Sequence, residues 1–291
     1  NPITHYLFLP RFNMLSYVRK FQDKILKQPE DANMPFEHIE YTNDRGMGLL
    51  TLNRPDAMNS ISLEMGHEIL QAMEEARNDD AVKLLVLTGT GRAFCGGANP
   101  RALHAARSQG KDFTARWGRL HRTLREMPKP VIGAINGAAV GGGLELATLC
   151  DIRVASEKAR FGGGFIRMGS APAAGLAYYL PRILGMANAL EVMWSGRLFN
   201  AEEALRIGFV SYVVPHDELM LKVWELAMPV IKGPSVAIGI TKTLAYKCME
   251  VDTETAWKEH KKAMGIIAGT EDAKEGPRAW VEKREPLFKG R

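Results

Sequence analysis

The chain has 291 residues and a formal net charge of +5, with 46% hydrophobic and 24% charged residues. These values are typical of a globular protein built as one large domain or two modest ones. No run approaches the roughly 18 uncharged apolar residues that a membrane helix needs, which argues against a membrane protein. Lysine and arginine form no like-charged block and no stretch interleaved with aromatic residues, which argues against nucleic-acid binding.

The cysteines give information about compartment and metal binding. Cys95, Cys150 and Cys248 are too few and too scattered for a disulfide framework or a paired-cysteine metal site. We therefore expect a reducing, cytoplasmic compartment and no metal centre.

Residues 1–33 differ from the rest and are interpreted as an N-terminal extension, either an additional helix or a leader. Glu30 and Asp31, and the absence of a small-residue cleavage pattern, argue against a cleaved targeting peptide.

Strands and helices alternate over residues 34–200, which predicts an α/β core with mostly parallel pairing. The pattern predicts strands at 39–43, 48–52, 84–87, 131–135 and 152–155. It predicts helices from a Ser62 cap to about residue 78, over about 112–126, and from 141–143 through 148.

Residues 201–291 form a region that we predict to be helical and to serve as a lid or a trimerisation arm. Helical spacing covers residues 201–207, 217–231, 235–250 and 253–265.

Two glycine-rich segments follow predicted buried strands. The first, residues 88–99, fails as a dinucleotide fingerprint because Phe94 occupies the third glycine position and no acidic residue follows at the expected distance. The second, residues 136–145, lacks the Gly-Lys-Ser/Thr ending of a phosphate loop. Each could also be only a tight strand-to-helix turn.

Considered together, the two segments predict more specific chemistry. Each exposes backbone N–H groups, and the second opens a helix whose N-terminus carries partial positive charge. Two converging N–H donors make an oxyanion hole. Glu145 lies in the first turn of that helix, so a thioester enolate would find donors for its oxygen and a base near its carbons. A Glu at such a position can also serve only as a partner of the helix dipole.

Several strings, in order along the chain, resemble the signature of the crotonase superfamily, the enoyl-CoA hydratase/isomerase family. The resemblance spans about residues 36–290. The strings are NRP (53–55), FCGGAN (94–99), KPVIGAING (129–137), GGGLELA (141–147), CD (150–151), LPR (180–182), GR (196–197), AEEA (201–204), EGP (275–277) and KR (283–284).

The resemblance implies the crotonase (ClpP-like) fold of repeated ββα units with a helical C-terminal region, assembled as a homotrimer or a dimer of trimers. It implies an acyl-CoA thioester as substrate, with coenzyme A as part of the substrate and no separate cofactor. By matching position, Glu145 is the catalytic carboxylate, and Ala98 and Gly142 supply the oxyanion N–H groups. The positions that match substrate or coenzyme A contacts are Ala57, Met58, Gly97, Asn99 (where many members carry Asp), Arg101, Gly141 and Phe165, with Trp280 and Lys283 reaching a neighbouring subunit.

One departure from the family concerns the second catalytic Glu of standard hydratases. The corresponding segment reads FGGGFIRMG at residues 161–169, so Phe165 stands at the Glu position and Gly164 replaces a proline. Phenylalanine cannot move a proton, and Arg167 is always charged. Either another carboxylate enters from elsewhere, or the site has one carboxylate. The three glycines predict a loop without the usual stiffening.

Three functions fit the sequence. The leading hypothesis is an enoyl-CoA hydratase with a single carboxylate, acting on a bulky or cyclic acyl group because Phe165 is apolar. Double-bond isomerisation ranks below it, since isomerases of the family often place their base at the position of Phe165. The third is a non-catalytic acyl-CoA-binding paralogue. His67, His104, His121, His216 and His260 have no partner motif and are interpreted as surface or core residues, and Cys95 as a packing residue.

Overall fold

A computed structural model describes residues 36–108, 114–173 and 175–291. The N-terminal extension predicted over residues 1–33 lies outside the described residues, as does the predicted start of the helix at residue 112.

Two sheets form the α/β core. The larger sheet has six strands, of which the first two are antiparallel and the others parallel: β1 (Ile39–Asp44), β2 (Met47–Leu52), β3 (Leu84–Gly89), β5 (Val131–Ile135), β7 (Ile152–Ser156) and β10 (Tyr212–Val214). The smaller sheet has four strands, the last of which is antiparallel: β4 (Ala93–Cys95), β6 (Ala138–Val140), β8 (Arg160–Gly162) and β9 (Leu198–Asn200). The pairs β3–β4, β5–β6 and β7–β8 each give one strand to each sheet, which confirms the predicted repeat of ββα units.

The helices lie between and after these strands. They are α1 (Leu63–Asn78), α2 (Pro100–Ser108), α3 (Thr114–Glu126), α4 (Gly142–Leu149), α5 (Leu176–Leu184), α6 (Met186–Ser195), α7 (Ala201–Arg206), α8 (Leu219–Ile231), α9 (Ser235–Cys248), α10 (Thr253–Ala268) and α11 (Asp272–Glu282). Short 3-10 turns cover Pro55–Ala57, Ile166–Met168 and His216–Glu218. The helices and strands predicted from the sequence are present with bounds shifted by a few residues. The elements that were not predicted are α2, α5, α6, α11, the short strand β10 and the four strands of the smaller sheet.

The larger sheet is buried on both faces, which explains why its strands are nearly continuous apolar runs. One face packs on α8 through alternate residues: Met47, Leu49, Leu84, Val86, Ile132, Ala134 and Val154 meet Leu219, Val223, Trp224 and Ala227. The opposite face packs on α1, α4 and the smaller sheet. Burial of each large apolar side chain contributes roughly 1.5–3 kcal/mol, so the sheet is a rigid base for the loops at its edge.

None of the helices in the described ranges is by itself both long and apolar enough to cross a bilayer. Only α8 with its preceding turn and α9 meet that condition when taken together, and these two are bent by 108° relative to each other.

Candidate active site

The two glycine-rich segments meet at one edge of the smaller sheet. Strands β4 and β6 are parallel neighbours, so the residues that follow them leave the sheet on the same side. A Cβ atom at Gly97 would lie 2.8 Å from the Gly142 nitrogen and 2.7 Å from the Val140 carbonyl oxygen. A Cβ atom at Gly143 would overlap the Cys95 carbonyl oxygen. Glycine at these positions therefore allows the two backbones to touch.

Two backbone N–H groups remain available where the segments touch. The Gly96 N–H donates to the Met58 carbonyl at 2.7 Å, and the Gly97 N–H donates to the Cys95 thiol at 3.4 Å. Within the described ranges, neither the Ala98 N–H nor the Gly142 N–H donates to a protein acceptor. Gly142 is the first residue of α4, where an N–H has no partner inside the helix. This pair of donors could hold a developing oxyanion.

Glu145 lies in the first turn of α4 and is 5% exposed. Its Oε1 accepts a hydrogen bond of 2.7 Å from the Ala173 N–H. Burial raises the pKa of Glu145 to about 7, and the Ala173 hydrogen bond opposes that shift. The shift therefore has its cause in burial and not in a neighbouring carboxylate of the described residues. A carboxyl group that titrates near neutral pH can both accept and return a proton.

The predicted coenzyme A residues Ala57 and Met58 lie against the first glycine-rich segment. The Met58 carbonyl accepts the Gly96 N–H, and the Ile61 N–H donates to the Gly97 carbonyl at 2.8 Å. Met58 has a left-handed backbone with φ of 55°. The structure thus brings this turn and the oxyanion segment together.

Four further residues predicted to contact coenzyme A lie on or next to helices α2 and α11. Asn99 precedes α2, and its Oδ1 accepts the Arg101 N–H at 3.0 Å, while the Arg101 side chain is exposed. Trp280 and Lys283 lie at the end of α11, far along the chain in the C-terminal region, and both are exposed on a single chain.

Phe165 is packed and not open to solvent. It is 9% exposed and belongs to the apolar core. A Cβ atom at Gly163 would lie 3.0 Å from the Phe165 Cζ and 2.8 Å from the Val192 carbonyl oxygen. The Gly162 carbonyl accepts the Gly141 N–H at 2.9 Å. The glycines of residues 162–164 therefore let this segment pack tightly on its neighbours. This packing offsets the loss of stiffness that was expected for the loop because Gly164 replaces a proline.

Three contributors to the site were missed in the sequence. The Ala173 N–H holds Glu145, but a backbone donor leaves no trace in residue type. Asn59 is buried, and its amide donates to the carbonyls of Thr90 and Ala93 at 3.0 and 2.8 Å. Asn136 also donates to the Ala93 carbonyl, at 3.2 Å. The sequence signal for Asn59 was its place in the turn beside the NRP string, and the signal for Asn136 was its place directly before Gly137.

Comparisons with known proteins agree with this architecture. A family model described as enoyl-CoA hydratase/isomerase matches residues 42–291. A crotonyl-CoA hydratase of Syntrophomonas wolfei is 35% identical over 257 residues, covering 88% of this chain and 99% of the relative. A 2,3-dehydroadipyl-CoA hydratase of Escherichia coli is 34% identical, covering 84% of this chain and 95% of the relative. The crystal structure of an enoyl-CoA hydratase from Bacillus anthracis superimposes with a TM-score of 0.84 at 31% identity, covering 88% of this chain and all of that one.

Proposed function

The chain belongs to the enoyl-CoA hydratase/isomerase family and has the crotonase fold, and from this premise we propose that it is an enoyl-CoA hydratase that works with a single catalytic carboxylate. The observation that carries the proposal is Glu145, which is buried, has a pKa of about 7, and lies one helical turn from the Gly142 N–H, a donor with no acceptor in the described part of the chain. The segment at residues 161–173 supplies no Asp or Glu.

The proposed mechanism uses one carboxylate for both proton transfers. The Ala98 and Gly142 N–H groups hold the thioester oxygen as it gains negative charge. Glu145 removes a proton from water as its oxygen attacks C3 of the enoyl group. The protonated Glu145 then returns a proton to C2, so that the elements of water are added and the carboxylate is restored. General acid–base catalysis of this kind is worth ~10²–10⁴-fold.

The acyl group that we propose is bulky or cyclic. The apolar Phe165 stands where a standard hydratase carries a carboxylate, and the residue before it lies against the segment that leads to Gly142, since a Cβ atom at Gly164 would lie 3.8 Å from the Gly141 nitrogen. An apolar surface at that point favours hydrocarbon over a water-bound polar group. Coenzyme A enters as part of the substrate, held by Ala57, Met58, Gly97, Asn99, Arg101 and Gly141.

The experiment that tests the function follows the absorbance of the enoyl thioester with straight-chain and cyclic enoyl-CoAs. We expect hydration, with a higher kcat/KM for a cyclic or branched substrate, and a ~10²–10⁴-fold loss in Glu145→Gln. Affinity for coenzyme A should stay within a few-fold. Movement of the double bond without addition of water would favour an isomerase. Binding without any turnover would favour a non-catalytic acyl-CoA-binding protein.

We also propose a homotrimer or a dimer of trimers in which coenzyme A is shared between subunits. Trp280 on α11 is 65% exposed and Trp257 on α10 is 69% exposed on a single chain, whereas tryptophan is on average a highly buried residue. Gel filtration with light scattering should give the mass of three or six chains. A monomer would contradict both the assembly and the proposed roles of Trp280 and Lys283.

A further inference from the structure

The turn before α5 holds the Glu145 carboxylate, and this turn is packed against an imidazole from α3. The Ala173 N–H donates to Glu145, and the Leu176 N–H donates to the Ala173 carbonyl at 3.0 Å, which ties Ala173 to the start of α5. A Cβ atom at Gly175 would lie 2.5 Å from Nε2 and 2.9 Å from Cε1 of His121. The His121 ring is therefore in direct contact with the backbone of the turn.

The same imidazole touches α5 at a second point. The rings of His121 and Tyr179 are 5.3 Å apart between centroids and tilted by 38°. The Tyr179 N–H donates to the Gly175 carbonyl at 3.0 Å, so the two contact points belong to one hydrogen-bonded turn. The Arg125 guanidinium, one turn further along α3, lies 4.0 Å over the Tyr179 ring. These contacts fix the N-terminal end of α5 relative to α3.

The His121 ring is held in its neutral form. Burial, and then the positive charges of Arg125 and Arg122, lower the pKa of His121 to about 4. Its Nε2 is buried and has no hydrogen-bond partner among the described residues. Protonation would place a third positive charge beside two arginines. The ring therefore acts at neutral pH through its shape and its packing.

We propose that His121 is a positioning residue for Glu145: its ring fixes the turn that carries the Ala173 N–H, and this N–H orients the carboxylate. The inference rests on the proposed function, in which Glu145 is the base. Because the Ala173 hydrogen bond favours the charged carboxylate, loss of the His121 contact should raise the pKa of Glu145 further.

The test is a pH titration of the Glu145 carboxyl by infrared difference spectroscopy. The Glu145 band is identified as the carboxyl C=O signal that is present in the wild-type protein and missing from Glu145→Gln. In His121→Ala we expect the titration midpoint to rise by about half a pH unit or more. His121→Gln keeps a planar polar group of similar reach, so its midpoint should stay close to that of the wild type.

His216→Ala is the matched control. His216, in the turn before α8, is also a partly buried imidazole, but its Nδ1 lies 3.0 Å from the hydroxyl of Ser156 at the end of β7. Its removal should leave the Glu145 midpoint unchanged. Melting temperatures check folding for every variant. If His121→Ala does not fold, His121→Asn replaces it, since asparagine is one methylene shorter than glutamine and should give the same upward shift.

A folded His121→Ala or His121→Asn variant that titrates at the wild-type midpoint would overturn the inference. The titration requires no substrate, so it gives an answer even if no enoyl-CoA is hydrated and the proposed function fails. Where hydration is measurable, the acidic limb of kcat/KM should move by the same amount as the infrared midpoint. A uniform fall in activity at all pH values, with no movement of the limb, would indicate a structural role only and would also overturn the inference.

Discussion

Residues 141–143 and residues 162–164 are both runs of three glycines at the ends of neighbouring strands of the smaller sheet, yet their surroundings differ. The first run opens α4, and its Gly142 N–H has no acceptor among the residues that the structure describes, with Glu145 one turn away. The second run has its Gly162 carbonyl bonded to the first run and carries Phe165. The comparison teaches that glycine only permits the close approach of backbones. The side chains that come after each run then set the difference, since the first run leads to the buried carboxylate of Glu145 and the second to the packed ring of Phe165.

A methyl group placed beside the two N–H donors of Ala98 and Gly142 should have the largest effect on turnover. Gly97→Ala would put a Cβ atom 2.8 Å from the Gly142 nitrogen, at a residue whose φ is +88°. We expect kcat to fall by about 10²–10³-fold, the usual result of losing an oxyanion donor.

The control for Gly97→Ala comes from the second glycine run. A Cβ atom at Gly164 would meet only the Val140 side chain, at 3.1 Å, before reaching the Gly141 nitrogen at 3.8 Å. The kcat of Gly164→Ala should stay within a few-fold of wild type, and equal losses in the two variants would remove the distinction between the runs.

The buried Glu145 should destabilise the fold at high pH. Its pKa is about 7 in the folded protein against an ordinary value of 4.5, so the folded state binds more protons in this window. Stability therefore falls as pH rises from 4.5 through 7, and Glu145→Gln does not share this loss. At pH 8 we expect Glu145→Gln to be more stable than wild type by up to about 3 kcal/mol, with no difference below pH 4.5.

Denaturant unfolding at both pH values measures this effect, and Glu64 supplies its control. Glu64 is also in the first turn of a helix, but it is exposed, and hydrogen bonds from its own backbone N–H and from Ser62 lower its pKa. Glu64→Gln should therefore be no more stable than wild type at pH 8. A Glu145→Gln variant that is no more stable than wild type at that pH would contradict the raised pKa.

Restoring a carboxylate on the second run should have the smallest effect. Phe165→Glu places a general acid on the segment that carries one in standard hydratases. Its burial would raise the pKa of the new carboxyl and lower stability. We expect kcat/KM for crotonyl-CoA to rise by less than about tenfold, well below the ~10²–10⁴-fold of a well-placed acid.

The control for Phe165→Glu is Phe165→Gln, because glutamine has nearly the shape of glutamate but no acidic proton to transfer. A folded Phe165→Glu variant with unchanged or lower activity would show that Phe165 does not occupy the second carboxylate position, or that the pocket serves other chemistry.

The sequence predicted five of the six strands of the larger sheet and the helix that bears Glu145, because buried strands and a glycine-led helix have strong local patterns. It did not predict β10, which has three residues and depends on pairing with β7. It also missed α5, where Pro181 lies inside the helix. Local pattern cannot reveal an element whose stability comes from contacts with distant residues.

The candidate site shows the same limit. Motifs identified Glu145, Ala98 and Gly142 as candidates because their roles depend on spacing along the chain. The Ala173 N–H contacts Glu145 directly, and the His121 ring contacts Gly175 and Tyr179 nearby, so both contacts depend on tertiary packing. Side-chain type at positions 121 and 173 gave no indication of either contact.

The most direct test of the single-carboxylate mechanism is the pH dependence of kcat/KM for the best enoyl-CoA between pH 5 and pH 9. If one carboxylate acts as the base, kcat/KM should rise once as pH increases, with a midpoint at about pH 7, and then reach a plateau. The Glu145→Gln variant should show no such rise. A bell-shaped profile, with a second ionisation that Glu145→Gln retains, would show that another acid takes part and would contradict the account.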